Sequence, residues 1–391
     1  MAAKVDSAVA RQQPEPIPFN RPFATGSEFT FIQEAIENGH ISGDGPFTKR
    51  CQALLETQLG CKKALLTTSC TDALELSALL LDIKPGDEVI VPSFTFVSTI
   101  NSFVLRGAVP RFIDIRQDTL NLDESQLERL IGARTKAIVP VHYAGVGCEM
   151  ETILRIASSH DSAVIEDNAH GLFGHYRGRP LGTFGSLATL SFHETKNISC
   201  GEGGALLIND PVHIERAEIL REKGTNRSRF FRGEVDKYSW VDIGSSFLPS
   251  DLLAAFLWAQ LLERENIQAL RRKVWNLYHE QLKDWAEEQN IRMPIVPPHC
   301  QQSHHMFYLI LPSAEDRDRL ITHLRDHRIH AVFHYLPLHL SEMGRRFGPA
   351  DCSVTEGVSS CLLRLPFYNG LAESDQLRVI DVLLEFRCRA E

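Results

Sequence analysis

The sequence lacks any uninterrupted apolar stretch approaching roughly 18 residues, so no segment reads as a membrane-crossing helix. It also lacks a basic excess. Fifty Asp and Glu stand against 41 Lys and Arg, a formal charge of -9, and a chain without a basic face is not a general binder of nucleic-acid phosphates. Any phosphate must therefore be bound locally. The nine cysteines contain no C-x-x-C pair, and an odd, scattered set does not read as a disulfide framework; it fits reduced thiols in the cytoplasm. Met1 to Pro18 carry no apolar run and no small-residue cleavage pattern, and residues 1–16 are expected to form a disordered, polar tail on a soluble protein. Internal repeats and low-complexity tracts are absent as well.

What is present is core material: 391 residues, 43% of them hydrophobic, suffice for one large domain and a smaller one. From Lys62 to about Pro211, short apolar runs ("KKALLTT", "DEVIVPS", "VPRFIDI", "TKAIVPVH", "SAVIED", "LATLSF", "GALLIND") read as strands. Helix-like segments at 72–81, 94–106, 124–131 and 149–160 separate several of them. The runs are too apolar to be half-exposed, which predicts an α/β fold with a doubly wound, mostly parallel sheet covered on both faces. In such a sheet ligands gather beyond the carboxyl ends of the strands. Helical periodicity over 251–290 reads as a connecting helix pair, so the expected division is a large domain over 17–250 and a small C-terminal α+β domain over 291–391. In the latter, "HHMFYLILP" and "IHAVFHYLP" read as strands, with helices near 316–327 and 373–386.

Four strand ends carry chemistry. In "TTSCTDALELSALLL", Ser69, Cys70 and Thr71 precede a helix whose free N–H groups can bind an anion. "SAVIEDNAHG" delivers Glu166 and Asp167 at a strand end, with His170 close behind; a carboxylate there can pair with a protonated pyridine nitrogen. "LSFHETKNISCGEGG" places Ser191, His193 and Lys196 before Gly201, Gly203 and Gly204, and a buried lysine can form an imine with an aldehyde. "VPSFTFVST" offers Phe94 and Phe96 to cover a flat ring. Each feature alone has a plainer reading as a helix cap, a turn carboxylate, a solvated lysine, a satisfied histidine or core. Jointly they supply a phosphate cradle, a stacking face, a carboxylate and an amine, the four contacts that pyridoxal phosphate requires.

At these residues the chain strongly resembles the DegT/DnrJ/EryC1/StrS sugar aminotransferases, pyridoxal-phosphate enzymes of fold type I, over about 17–386. The resemblance implies that Asp167 pairs with the pyridine nitrogen and His170 with the ring hydroxyl. It implies that Ser191 binds the phosphate, with Cys70, Thr71 and Asp72 in the phosphate loop, that Phe96 stacks on the ring, and that Lys196 carries the cofactor as a Schiff base. "DGPFTKRCQ", "REKGTNRS", "VDKYSWVDIGSS" and "AVFHYLPLH" are similar to the subfamily that aminates dTDP-4-dehydro-6-deoxy-D-glucose at C4, giving dTDP-4-amino-4,6-dideoxy-D-galactose. That likeness implies L-glutamate as amino donor and pyridoxamine phosphate as the aminated cofactor. It further implies a homodimer with shared active sites, in which an asparagine or arginine from the segment before "SD" reaches the partner's phosphate. Here Leu248 holds that position, and Ser245 or Ser246 are the polar alternatives. Arg227, Arg229 and Arg232 are candidates for the substrate diphosphate, with a solvated basic loop as the equal alternative. Sugar dehydratases of the family look similar except for a histidine in place of the lysine, so Lys196 favours transamination. A silent sugar-nucleotide-binding protein is the rival from another class, and no metal site is expected.

Overall fold

The computed structural model describes residues 14–389. Every strand expected in the first half forms. In chain order these are β1 (Lys63–Thr67), β2 (Glu88–Pro92), β3 (Val109–Ile113), β4 (Thr135–Ile138), β5 (Ala163–Asp167), the two-residue strands β6 (His175–Tyr176) and β7 (Arg179–Pro180), then β8 (Leu187–Ser191) and β9 (Gly204–Ile208). All but β6 and β7 join one seven-stranded sheet in the order β1-β9-β8-β5-β4-β2-β3. The run from β8 to β3 is parallel, and β9 runs antiparallel to both of its neighbours. Strands β2, β8 and β9 are buried along their whole length, as apolar runs covered on two faces must be.

Helices α1 (Glu28–Glu37), α2 (Pro46–Leu59), α3 (Cys70–Leu80), α4 (Ser98–Val104), α5 (Leu127–Leu130), α6 (Met150–Ser159), α7 (Ile214–Arg221) and α8 (Arg227–Phe231) pack around this sheet or between its strands. The helix expected over 94–106 starts only at Ser98, because Phe94 to Val97 form the loop that leaves β2. The expected helix pair is α9 (Asp251–Leu262) and α10 (Arg264–Glu288). Ser250 caps α9, and the buried Asp251 carboxylate accepts the N–H groups of Phe47 and Thr48 at the start of α2, which locks α9 across that helix.

Beyond α10 come β10 (Cys300–Gln301), β11 (Tyr308–Ile310), α11 (Ala314–Asp326), α12 (Ser353–Cys361), β12 (Leu362–Arg364) and α13 (Glu373–Glu385). β10 joins β6 and β7, while β11 and β12 form an antiparallel pair. The strand expected over 329–337 does not form. Ile329 and Val332 each make a single bridge, to Ile17 and Arg364, and the following His334 and Tyr335 turn toward the large sheet and line the site described below. Residues 1–13 of the expected tail lie outside the described residues, and Ile17 already bridges Ile329 and belongs to the buried cluster that includes Tyr278 and Leu324. A separate cluster, including Phe94, Tyr143, Met306, Tyr308 and Leu362, seals the seam between the large sheet and the C-terminal layer.

Candidate active site

The strand ends converge on one cavity of about 550 Å³. β1 ends at Thr67, β8 at Ser191, and the antiparallel β9 begins between them at Gly204, paired to both. A side chain on Gly204 would place its Cβ 2.4 Å from the Ser69 and Cys70 backbone, so only glycine lets β9 approach the start of α3. The glycine needed here thus serves backbone against backbone rather than backbone against ligand. At that start, the Ser69 hydroxyl accepts the Asp72 N–H at 3.0 Å, which fixes the first turn and leaves the Cys70 and Thr71 N–H groups without an intrahelical acceptor. Ser69, Cys70 and Thr71 all line the cavity; Asp72 does not, because its carboxylate turns back to accept the Thr68 hydroxyl.

Alternation along β5 separates its two acids. Glu166 faces away from the cavity, where it accepts the N–H groups of Gly182, Phe184 and Gly185 and meets His142 at 2.9 Å. Asp167 faces the cavity, is buried, and accepts from Thr99 Oγ1 at 2.8 Å and from the Ala169 N–H at 3.1 Å. Thr99, which sequence reading passed over, is itself held by Thr95. His170 stacks on His305 with centroids 4.2 Å apart, and its Nδ1 is buried without a partner. Burial pushes both imidazoles well below their ordinary range, so both are neutral.

Lys196 opens into the same space. Burial lowers its ammonium from 10.5 to about 8, with Asp167 opposing that shift and Arg364 reinforcing it. Asn197, the next residue, is tied through His305 and the Ser303 carbonyl to the C-terminal layer. Ser191 and His193 line the cavity, and Phe96 covers its mouth with 59% of its surface exposed. His305, His334, Tyr335 and Arg364 complete the wall from positions more than a hundred residues downstream, where no spacing marked them. Arg227, Arg229 and Arg232 are not among the lining residues; each is ion-paired, with Glu222, with Glu215 and Glu234, and with Glu218 and Glu234. Among the described residues no cluster of metal-ligating side chains occurs, and no helix is long and apolar enough to cross a membrane.

Residues 24–384 match the model of the DegT/DnrJ/EryC1/StrS aminotransferase family. The chain belongs to that family. It is 32% identical over 376 residues to the uncharacterized protein MJ1066 of Methanocaldococcus jannaschii, covering 94% of this chain and 96% of that one. Among solved structures, DesV of S. venezuelae in complex with a ketimine intermediate superposes with a TM-score of 0.87 at 30% identity, over 97% of this chain and 100% of the other. The aminotransferase TlmJ of Streptoalloteichus hindustanus gives 0.87 at 28% identity, over 95% and 98%. Spr1654 of Streptococcus pneumoniae in its PMP form gives 0.87 at 25% identity, over 94% and 98%. As a DegT-family member the chain is a pyridoxal-phosphate-dependent aminotransferase of fold type I. The cavity suits that cofactor: it offers free N–H groups at a helix start for a phosphate, a buried carboxylate, an unpartnered imidazole nitrogen and an amine with lowered pKa.

Proposed function

We propose that the chain transfers the amino group of L-glutamate to C4 of a nucleotide-linked 4-keto-6-deoxy sugar, dTDP-4-dehydro-6-deoxy-D-glucose, giving dTDP-4-amino-4,6-dideoxy-D-galactose. The observation that carries the catalytic part is the meeting of Lys196, Asp167, His170 and the Ser69–Thr71 turn in one cavity. The subfamily likeness of the flanking segments supports the sugar. Bound pyridoxal phosphate supplies the carbonyl that takes up the donor nitrogen and a ring that stores the electron pair. In this reading the N–H groups of Cys70 and Thr71, with Ser191, hold the phosphate, Phe96 covers the ring, and His170 meets the ring hydroxyl. Asp167, fixed by Thr99, holds a proton on the ring nitrogen. Lys196, once released as a free amine, would move a proton from the donor carbon to C4′ of the cofactor in the first half-reaction and from C4′ to sugar C4 in the second. In the cofactor-free cavity burial already lowers this amine to about 8, which favours the neutral form from which a proton shuttle starts.

The same reading takes 17–250 as the cofactor-binding unit, joined by 251–290 to a C-terminal unit, in support of which the C-terminal layer has its own core. A homodimer with shared sites is supported by Phe231, Tyr238 and Trp240, which stand 70%, 53% and 80% exposed on a single chain. Nine unpaired cysteines accord with a cytoplasmic setting. The balanced ion pairs of Arg227, Arg229 and Arg232 support the solvated-loop reading of that segment over a diphosphate site.

Incubation with L-glutamate and a panel of nucleotide keto-sugars, with products identified by mass and NMR, tests the assignment. Amination at C4 with an axial amine is expected, read from the coupling constants at H3, H4 and H5. An equatorial amine overturns the stereochemistry alone; no amination of any 4-keto sugar nucleotide overturns the substrate class. Lys196→Ala is expected to fold and to lose the borohydride-reducible link to the cofactor, and a covalent link surviving on another residue refutes its role.

A further inference from the structure

Residues 303–305, between β10 and β11, grip both of the loops that carry reacting side chains. On one side they hold the residue next to Lys196: the Asn197 amide donates to the Ser303 carbonyl at 2.7 Å, and its Oδ1 meets His305 Nδ1 at 2.8 Å. On the other they hold His170. The Ser303 hydroxyl donates to the His170 carbonyl, and the His305 ring stacks on the His170 ring, 4.2 Å away and 19° from parallel. The grip is itself anchored. Arg271 on α10 donates to the His304 and His305 carbonyls at 2.9 and 2.5 Å and to the Asn369 side chain, whose amide reaches the Asn197 carbonyl at 3.4 Å. His304 takes a φ of +53°, a left-handed turn that is uncommon away from glycine, and the buried His305 that follows it lines the cavity.

The bond pattern fixes the tautomer. Asn197 uses its amide N–H on Ser303, so its oxygen must accept, and Nδ1 of His305 must carry the proton. Burial keeps this ring neutral, and His170, Lys196, Arg271 and Arg364 all add to that by opposing a further cation. A neutral ring can lie on neutral His170 without repulsion, and Tyr143 packs edge-on against the same imidazole at 5.9 Å. Lys196 itself sits in a loop past the end of β8, outside any helix or strand, and no hydrogen bond joins it to His170. An apolar side chain could fill the place of His305, but it could not donate to Asn197. We propose that His305 is a positioning residue with two separate tasks: its N–H holds the Lys196 loop and its ring face holds the His170 imidazole, so that one side chain sets the amine and the imidazole relative to each other. This rests on the assignment of Lys196 and His170 to the cofactor, and not on which sugar is aminated.

Substitution separates the two tasks. His305→Phe keeps a ring over His170 but loses the donor; His305→Asn keeps an N–H at the Nδ1 position but loses most of the ring; Asn197→Leu breaks the same tie from its other end. Cofactor-free full-length chains are mixed with pyridoxal phosphate, the covalent link is followed by absorbance, and its site is read by borohydride reduction and peptide mass spectrometry. His305→Phe and Asn197→Leu should form the link about 10- to 100-fold more slowly, as a misplaced amine does, yet bind pyridoxamine phosphate, which makes no link, within about threefold of wild type. His305→Asn should form the link within about threefold of the wild-type rate. The linked proteins are then titrated. A neutral His170 that donates to the ionised ring hydroxyl draws charge from it, so a loosened His170 leaves more charge to hold the proton on the link nitrogen. The absorbance midpoint of His305→Asn should therefore rise by about 0.5 to 1 pH unit, with His305→Phe close to wild type. Loss of both readouts together in both His305 variants would make the residue a general brace and overturns the proposal, as does loss of neither. If His305→Phe does not fold, Asn197→Leu carries the same rate prediction, and a wild-type rate there overturns the tie. A wild type that forms no link at Lys196 removes the cofactor assignment and this proposal with it, whereas a link at Lys196 that is indifferent to His305 removes this proposal alone.

Discussion

Titrating the reactivity of Lys196 in the cofactor-free protein reads the electrostatics of the cavity directly. Burial brings this amine from 10.5 to about 8, against the pull of Asp167 and with the push of Arg364. At pH 7 an amine titrating at 8 is about one-tenth neutral, against about one part in three thousand at 10.5, so the nucleophilic fraction differs about three-hundredfold. Reductive methylation with formaldehyde and cyanoborohydride, followed by peptide mass spectrometry from about pH 6 to about pH 10, measures that fraction at each lysine separately. The neutral amine accumulates as pH rises, so the Lys196 rate should climb through pH 8 and level off above it. Two variants fix the signs. Asp167→Asn removes a charge that favours the ammonium and should move the midpoint down; Arg364→Gln removes a repelling cation and should move it up. A midpoint near 10.5, or shifts of opposite sign, would refute the account of the cavity. The same titration links to stability. The unfolded chain keeps this proton to higher pH than the folded one, so the penalty for burying the ammonium is full below pH 8 and fades as pH rises toward 10.5.

Asp167→Asn should still bind pyridoxal phosphate but lose about 10- to 1000-fold in kcat, because an opposite charge favours a protonated ring nitrogen by about one to three pKa units; near-normal steady-state rates would count against the pairing. Gly204→Ala must force β9 away from the Ser69–Cys70 backbone, where its Cβ would lie at 2.4 Å. A stability loss of about 1–3 kcal/mol in urea melts and weaker cofactor affinity are expected, and wild-type values for both would show the approach to be unimportant. Mixing inactive Lys196→Ala chains with chains mutated in the 225–246 segment should restore partial activity if sites are shared between subunits. Failure to do so, once subunit exchange is demonstrated, would mean that each chain holds a complete site.

The seven strands of the large sheet, the α9 and α10 pair and the placement of Asp167, His170, Ser191 and Lys196 at strand ends were all legible in the sequence. Each is encoded locally, in an apolar run with a polar residue where it stops, and a parallel sheet gathers such ends at one edge. Local pattern misled over 329–337, where β-branched and aromatic residues read as a strand but only Val332 finds a partner on β12 while His334 and Tyr335 turn to the cavity. The family resemblance, not local pattern, set Asp72 in the phosphate loop, and in the structure its carboxylate accepts the Thr68 hydroxyl. Only the tertiary structure brought Arg364, His334 and His305 against Lys196, and only it showed that Arg227, Arg229 and Arg232 are already balanced by glutamates while Arg364 is not. An arginine's charge is visible in a sequence, but whether a carboxylate stands beside it depends on contacts between segments far apart in the chain, which no periodicity records.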